Sequence, residues 1–416
     1  MINIHSLELH VGKYYTMITV PEGAIEHIRN LSEVAAALTK IGDEMRFVGG
    51  CVRGWLHGET PKDIDLHIKS TPEVAMALYS ALGIDFYTTG LQHGTITLRI
   101  NGVSYEVTSC RRDVATDGRH AQVEYTTDWM ADLARRDLTI NSMSLGFNGE
   151  LLDPYQGRKD LKAGHVRFVG EAFDRIREDY LRILRFFRFL GRYAEFDFNA
   201  APLIDEHQSY CLSYLADGLK QISRERVLME LLGIFKGDHA DEILELMGDL
   251  GISKAIGLPT ARLKNLRIAM AATDDPIIRL AAYMDEVSKI GQEHPFIRDL
   301  PLSKDDRRTI TYLTASINGP KPLIEYQRRI FVDQESRDMV RAYALMMGQA
   351  DEADCLEDWE IPKLPINGND VKPFAKRPTD FPIILGHVRH MFFQSDYKLT
   401  AGECMAIVAQ CSMLNA

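Results

Sequence analysis

Residues Phe47 to Ile68 read FVGGCVRGWLHGETPKDIDLHI, and this stretch narrows the fold more than any other in the chain. The segment MRFVGG is a buried strand that runs into a Gly-Gly turn. CVRGWLHG follows as a short helix, and KDIDLHI alternates polar and apolar residues with the period of a half-buried strand. Side chains two apart on a strand share a face, so Asp63 and Asp65 project together while Ile64, Leu66 and Ile68 turn to the core. Aspartate is a poor strand former. Two carboxylates side by side repel each other and are costly to bury unpaired, and hard divalent cations take oxygen ligands. Gly49 and Gly50 let the backbone approach a ligand, N–H groups at the start of the following helix can hold phosphate oxygens, and Arg53 on that helix adds positive charge. An isolated Asp-x-Asp is usually a solvent-facing pair; the glycine turn directly upstream favours a cation site here.

TPEVAMALYSALG predicts a helix that starts at Thr71-Pro72 and stops at Gly83. TITLRI and VSYEVTS flank Asn101-Gly102, a strong short hairpin signal. On VSYEVTS, Ser104, Glu106 and Thr108 share the polar face, so Glu106 is a third carboxylate that could complete a metal site. After Asp153-Pro154 the texture changes, and from about Glu171 onward the periodicity is helical almost everywhere. The fold class is therefore α+β: a mixed-sheet N-terminal head followed by an all-helical remainder.

Composition limits the function classes. A hydrophobic share of 45% and a charged share of 26% are those of an ordinary globular chain. No apolar run approaches the roughly 20 residues that span a bilayer, and no basic patch precedes an apolar run at the start, so neither a membrane span nor a signal peptide is expected. Cys51, Cys110, Cys211, Cys355, Cys404 and Cys411 lie far apart without a C-x-x-C, as small residues in a reducing, cytoplasmic compartment. The net charge of −11 argues against a nucleic-acid binder, but the charge is uneven. Acids crowd ADEADCLEDWE, read as a solvated face, and arginines crowd DRIREDYLRILRFFRFLGR, so a locally basic groove remains available to RNA.

Two further segments carry candidate site residues. Arg135, Arg136, Asp137 and Asn141 form R-R-D-x-x-x-N, which on a helix puts Asp137 and Asn141 on one face. The arginine suits a triphosphate and the Asp and Asn suit ribose hydroxyls; a charge cluster at a helix end is the plainer alternative. REDYLRILRFFRF places Asp179, Arg182, Arg185 and Arg188 at i+3 steps, one stripe on a helix. A salt-bridged surface face with Asp179 paired to Arg182 would be worth only about 0.2–0.5 kcal/mol per pair. The sharper reading is base selection. Cytosine and adenine both present an amino donor beside an unprotonated ring nitrogen, while guanine and uracil present the reverse. A fixed Asp acceptor beside an Arg donor accepts C and A and rejects G and U, because the wrong base leaves buried polar groups unpaired.

Glycine turn, arginine, paired acids and third acid together resemble the nucleotidyltransferases of the DNA polymerase beta superfamily. More narrowly they resemble the tRNA nucleotidyltransferases, the CCA-adding enzymes, of the class shared by bacteria and eukaryotes. The resemblance is close from Arg46 to Glu230 and includes R-R-D-x-x-x-N, DPYQG (Asp153 to Gly157), EDYLR matching the family's E-D-x-x-R, and ISRERVLMELL (Ile222 to Leu232). It implies addition of C, C and A to the 3′ end of tRNA from CTP and ATP, without a nucleic-acid template, with release of pyrophosphate. It also implies two Mg²⁺ ions held by Asp63 and Asp65, with Glu106 as the third catalytic acid. Nucleotide contacts are implied for Gly49, Gly50, Arg53, Arg136, Asp137, Asn141, Asp179, Arg182, Arg185 and Arg188. RRDVATDGRHAQVEYTTDWMAD is similar to the family's flexible loop, with Arg111, Asp113, Asp117, Gly118 and Arg119 at matching positions. The expected division is a head over 1–160, a neck carrying the base template over 161–235, a body over 236–350 and a tail over 351–416. The chain departs from the family at Gly54, where an Asp usually follows V-R. The alternatives are a poly(A) polymerase, a partial A-only or CC-only enzyme, and a non-catalytic RNA-binding protein. Nothing in the sequence sets an oligomeric state.

Overall fold

Every strand among the described residues falls in the first part of the chain, where the sequence alternates. The structure, a computed structural model, describes residues 9–10, 13–116, 121–194, 204–260, 263–285, 294–314 and 319–414. It contains two compact units, Met1–Leu258 and Pro259–Ala416. The first unit opens with β1 (Leu9–His10), β2 (Tyr15–Met17), α1 (Glu22–Lys40), β3 (Met45–Val48), α2 (Gly50–Leu56), β4 (Ile64–Ile68) and α3 (Pro72–Ala81). It continues with β5 (Phe86–Tyr87), β6 (Thr95–Ile100), β7 (Val103–Ser109), β8 (Arg111–Thr116), β9 (Ala121–Tyr125), α4 (Trp129–Ala134), β10 (Ser144–Gly146) and β11 (Glu150–Leu152). Its remaining helices are α5 (Gly157–Lys162), α6 (Ala172–Glu178), α7 (Leu181–Tyr193), α8 (Glu206–Tyr214), α9 (Arg224–Phe235), α10 (Ala240–Asp249) and α11 (Ile252–Ile256).

Nine strands form one sheet in the order β1-β2-β11-β10-β3-β4-β7-β6-β5, and β8 pairs with β9 as a separate ribbon. The sheet is mixed, because β4 runs parallel to β7 while its other pairings are antiparallel. Asn101 and Gly102 both adopt positive φ, 52° and 81°, as the two-residue turn between β6 and β7 requires. The four residues of β3 are all buried. The expected half-buried β4 is covered further than its alternation implied: His67 lies on the same face as Asp65 yet is buried, because Trp129 of α4 packs over its ring at 4.3 Å.

The apolar residues of α7 explain why this helix is central to the unit. Leu181, Ile183, Leu184, Phe186, Phe187, Phe189, Leu190 and Tyr193 are buried, each worth about 1.5–3 kcal/mol if fully removed from water. Phe186 stacks on Phe168 at 5.2 Å, and the helix packs on α9 and α10. Asp179 does not belong to this helix, contrary to the expected four-member stripe. Its φ of −157° and ψ of 106° are extended, so the chain breaks between α6 and α7 and only Arg182, Arg185 and Arg188 share the helical face.

Pro259–Ala416 is helical throughout its described residues. Phe331, Val371, Ile384, Val388, Phe392, Cys404 and Val408 form one of its cores. The acidic run lies on the helix Ala350–Asp358, which buries Ala353 and Leu356 and exposes Asp351, Asp354, Glu357 and Asp358, as a solvated face does. No described helix is long and apolar enough to cross a membrane.

Candidate active site

The parallel pairing of β4 with β7 sets Asp65 directly opposite Glu106, in register. Asp63 stands one residue before β4 and is exposed, Asp65 is half-buried and Glu106 is exposed. Among the described residues, none of these three carboxylates has a side-chain hydrogen bond or ion pair with the protein. Burial pushes the Asp65 carboxyl above its ordinary value, and the charges of Glu106 and Asp63 push the same way against the pull of Arg136 and Arg53. Unpaired, mutually repelling carboxylate oxygens at the lip of a sheet are the donor set a hard divalent cation takes. The residues present therefore fit a divalent-cation site.

A tighter cluster lies behind them. His67, Cys110 and Asp132 bring their ligand atoms within 4.8 Å of one another, all buried. This group has little room for a cation. Asp132 already accepts Arg135 Nε at 3.0 Å and Arg136 Nη2 at 3.3 Å, and His67 Nε2 sits 2.7 Å from the Ser144 hydroxyl. Burial lowers the His67 pKa to about 4, so the ring is neutral. Asp132, despite its burial, is held well below the usual carboxylate range by His67 and the two arginines. This network was not foreseen in the sequence. It ties the R-R-D segment to the strand that carries Asp65.

The glycine turn has a conformational reason. Gly49 has φ 71° and ψ −120°, and a Cβ there would stand 2.7 Å from Arg136 Nη1. Arg136 thus packs against the turn, with its buried Nε lacking a hydrogen-bond partner. The R-R-D-x-x-x-N segment departs from the expected single helix. α4 ends at Ala134, Leu138 is extended and bridges Phe168, and Asn141 closes a short 3₁₀ turn. The cause is the antiparallel contact: Thr139 N donates to Arg167 O and Val169 N to Asp137 O. Asp137 and Asn141 still meet, Nδ2 to Oδ1 at 3.0 Å.

From there a continuous chain of hydrogen bonds crosses the site. Arg53 Nη1 donates to Asn141 Oδ1, Asn141 to Asp137, and Arg185 Nε to the other oxygen of Asp137 at 2.5 Å. Burial works against the Asp137 charge, but Arg185 and the donated hydrogen bonds win and bring its pKa down to about 2. Glu230 of α9, which the sequence reading had not picked out, faces Arg185 at 3.7 Å and Arg188 at 3.0 Å.

Asp179 and Arg182 are neighbours at the α6–α7 break but are not paired with each other. Asp179 Oδ1 accepts Leu181 N at 3.1 Å, and Oδ2 meets Arg226 of α9 at 2.6 Å. Arg182 is held by Glu178 at 2.5 Å and by the carbonyls of Arg175 and Arg135. Each carboxylate oxygen retains a second lone pair for a ligand. Asp153, in DPYQG, accepts Gly157 N and Arg158 N at the start of α5. Of the loop residues, Arg111 lies at the start of β8 with Nη1 on His93 O, and Asp113 is in register with Val123 of β9. Asp117, Gly118 and Arg119 lie outside the described residues.

Residues 45–167 match the family described as "Poly A polymerase head domain", and residues 210–259 match "Probable RNA and SrmB- binding site of polymerase A". The mouse (Mus musculus) protein "CCA tRNA nucleotidyltransferase 1, mitochondrial" is 34% identical over 403 residues, 92% of this chain and 90% of that one. The "CCA-adding enzyme" of Oceanobacillus iheyensis is 34% identical over 227 residues, 54% of each chain. The crystal structure of the Bacillus stearothermophilus CCA-adding enzyme in complex with CTP has the same fold, with a TM-score of 0.66 at 23% identity over 93% of this chain and 98% of that one. The head-domain match alone fits a poly(A) polymerase as well, but the full-length relative extends through both units, and the chain belongs to the CCA tRNA nucleotidyltransferase family.

Proposed function

We propose that this protein completes the 3′ end of tRNA, adding C, C and A from CTP and ATP with release of pyrophosphate and no nucleic-acid template. The likeness to enzymes named for that reaction, over 92% of this chain for the mouse protein and 54% for the Oceanobacillus iheyensis one, supports it. The observation that carries the reading is the in-register pair Asp65 and Glu106, unpartnered beside a chain of arginines that ends at a glycine turn.

The activity depends on a divalent metal; Asp63 and Asp65 would hold two Mg²⁺ ions and Glu106 would bind or orient at the attacking side. When bound, such ions supply Lewis acidity at the attacking hydroxyl and charge neutralisation at the leaving pyrophosphate. The protein's own groups bind and orient. Gly49 and Gly50 let the triphosphate approach the backbone, and Arg53 and Arg136 face it. Asp137 and Asn141 meet the ribose. Asp179 and Arg182 present an acceptor and a donor to the base, with Arg185 and Arg188 continuing the basic face. The tRNA 3′-oxygen bonds to the α-phosphorus as the bond to pyrophosphate breaks, and the hydroxyl proton leaves to water. No side-chain general base is needed. The β8–β9 ribbon lies within the segment similar to the family's flexible loop, and the presence of that segment supports addition of the terminal A.

We divide the chain functionally into a head (1–160), neck (161–235), body (236–350) and tail (351–416), and place the activity in the cytoplasm, where the six unpaired cysteines stay reduced. Incubating tRNA that ends before CCA with labelled CTP and ATP tests the function. Addition that stops after C-C-A supports it. A long A tract would mark a poly(A) polymerase, and no addition a binding protein.

A further inference from the structure

Arg53 stands apart from the other arginines of the site. Arg136, Arg182, Arg185 and Arg188 each face a carboxylate. Arg53 touches none among the described residues; its contacts are neutral or aromatic. Its Nη1 donates to Asn141 Oδ1, its Nε donates to the Tyr193 hydroxyl at 2.9 Å, and its guanidinium lies over the Phe189 ring at 4.6 Å. The one nitrogen left over, Nη2, points toward the glycine turn: a Cβ on Gly50 would lie 3.8 Å from it.

The Tyr193 hydroxyl has a single proton, so accepting from Arg53 requires that proton to go elsewhere. Glu59 takes it, with Oε2 3.3 Å from the hydroxyl oxygen, and Arg192 Nη2 holds the same carboxylate oxygen at 2.8 Å. Glu59 lies in the connection between α2 and β4. A Cβ on Gly54 would come 3.2 Å from Pro61 and 3.8 Å from Glu59 Oε2, so the absence of a side chain at 54 leaves the space the Glu59 carboxylate uses.

We infer that Glu59 and Tyr193 are positioning residues that hold Arg53 with Nη2 toward the triphosphate, and that Glu59 supplies beside Gly54 the carboxylate this helix lacks. The inference rests on the proposed reading of Arg53 as a triphosphate ligand. The carboxylate orients the phenol and the phenol orients the guanidinium. Tyr193 is buried and Glu59 only partly so, which makes Tyr193→Phe and Glu59→Gln mild changes to the fold.

The test is steady-state addition of CMP and AMP to tRNA ends by wild type, Y193F, E59Q and R53M, and by Y193F and E59Q each combined with R53M. Losing one hydrogen bond to a charged group should raise KM for CTP and ATP about tenfold in Y193F and E59Q, with kcat within about twofold. In the R53M background neither substitution should change KM further. If Y193F and E59Q raise KM equally with and without Arg53, or leave it unchanged while R53M raises it, the positioning role is wrong and the nucleotide site stands. If R53M itself leaves KM unchanged, Arg53 is no triphosphate ligand, and that part of the functional reading falls with the inference.

Discussion

Replacing Asp137 with Asn should destabilise the protein by about 2 kcal/mol at pH 7, and the penalty should fade in acid. Asp137 is buried and accepts three hydrogen bonds, from Leu138 N, Asn141 Nδ2 and Arg185 Nε. Asparagine keeps one oxygen and turns an N–H₂ group against either Asn141 or Arg185. The magnitude follows from linkage. A carboxyl whose pKa falls from 3.8 in the unfolded chain to about 2 in the fold stabilises the charged native state by about 2 kcal/mol. Stranding a buried cation can cost about 3–5 kcal/mol, but Arg185 keeps Glu230 at 3.7 Å, so the lower figure decides. The sign is that of a depressed acid: its contribution is complete above pH 3.8 and disappears as pH falls through about 2. At pH 3 roughly half of the difference between wild type and D137N should remain. Trp55 and Trp129 report on the Met1–Leu258 unit and Trp359 on the other, so urea titrations in a W359F background isolate the right transition. Equal stability at pH 7, or a difference undiminished at pH 3, would refute the account of the Asp137–Arg185 pair.

Asp65→Asn should abolish nucleotide addition and yet raise the thermal midpoint of the metal-free protein, because the native fold disfavours this carboxylate's charge; scanning calorimetry in EDTA reads the second effect, and a fall in midpoint contradicts it. Gly49→Ala should cost about 1–3 kcal/mol, since φ 71° is strained for any side chain and the methyl would meet Arg136; chemical denaturation measures it. Reversing the hydrogen-bonding sense at Asp179 and Arg182 should admit U or G at the tRNA end while metal-dependent turnover continues; sequencing of extended tRNA ends would show selectivity for C and A intact if the template reading were wrong.

The parts of the fold that were legible in the sequence are those set by local chemistry. Asn101-Gly102 fixed a hairpin because both positions need positive φ, and Gly49 fixed a turn for a similar reason. Arg182, Arg185 and Arg188 share a face because a helix repeats every 3.6 residues. What escaped depended on residues distant in sequence. Leu138 left the helical path because Phe168, thirty positions on, offered it a strand-like partner. The parallel register of β4 and β7 cannot be read from either strand, yet it alone sets Glu106 opposite Asp65. His67 is polar on a polar face and still buried, since α4 covers that end of β4. Of the unexpected partners, Asp132 was within reach, as it precedes Arg135 and Arg136 by helical spacing. Glu59, Tyr193 and Glu230 carried no such signal.

Charge pairing around the site also bears on how a nucleotide can enter it. Arg136 faces Asp132, Arg182 faces Glu178, Arg185 faces Asp137 and Glu230, and Arg192 faces Glu59. Those cations are largely neutralised before any ligand arrives, while Asp63, Asp65 and Glu106 add three anions that no ion pair among the described residues neutralises, although Arg136 and Arg53 exert some pull on Asp65. A triphosphate entering without metal therefore meets net repulsion, only partly offset by Arg53. One uncompensated charge pair at about 6 Å costs about 3 kcal/mol at an effective dielectric constant of about 20, roughly a hundredfold in Kd. CTP affinity measured by calorimetry should accordingly weaken on the order of a hundredfold when Mg²⁺ is replaced by EDTA. The decisive comparison is a variant carrying both D65N and E106Q. With the repelling charges gone, it should bind CTP without metal more tightly than the wild type does under the same conditions. If the wild type binds equally well in EDTA, or the neutralised variant gains nothing, then the arginines rather than the cations supply the attraction, and the balance of charge argued from the pairs is mistaken.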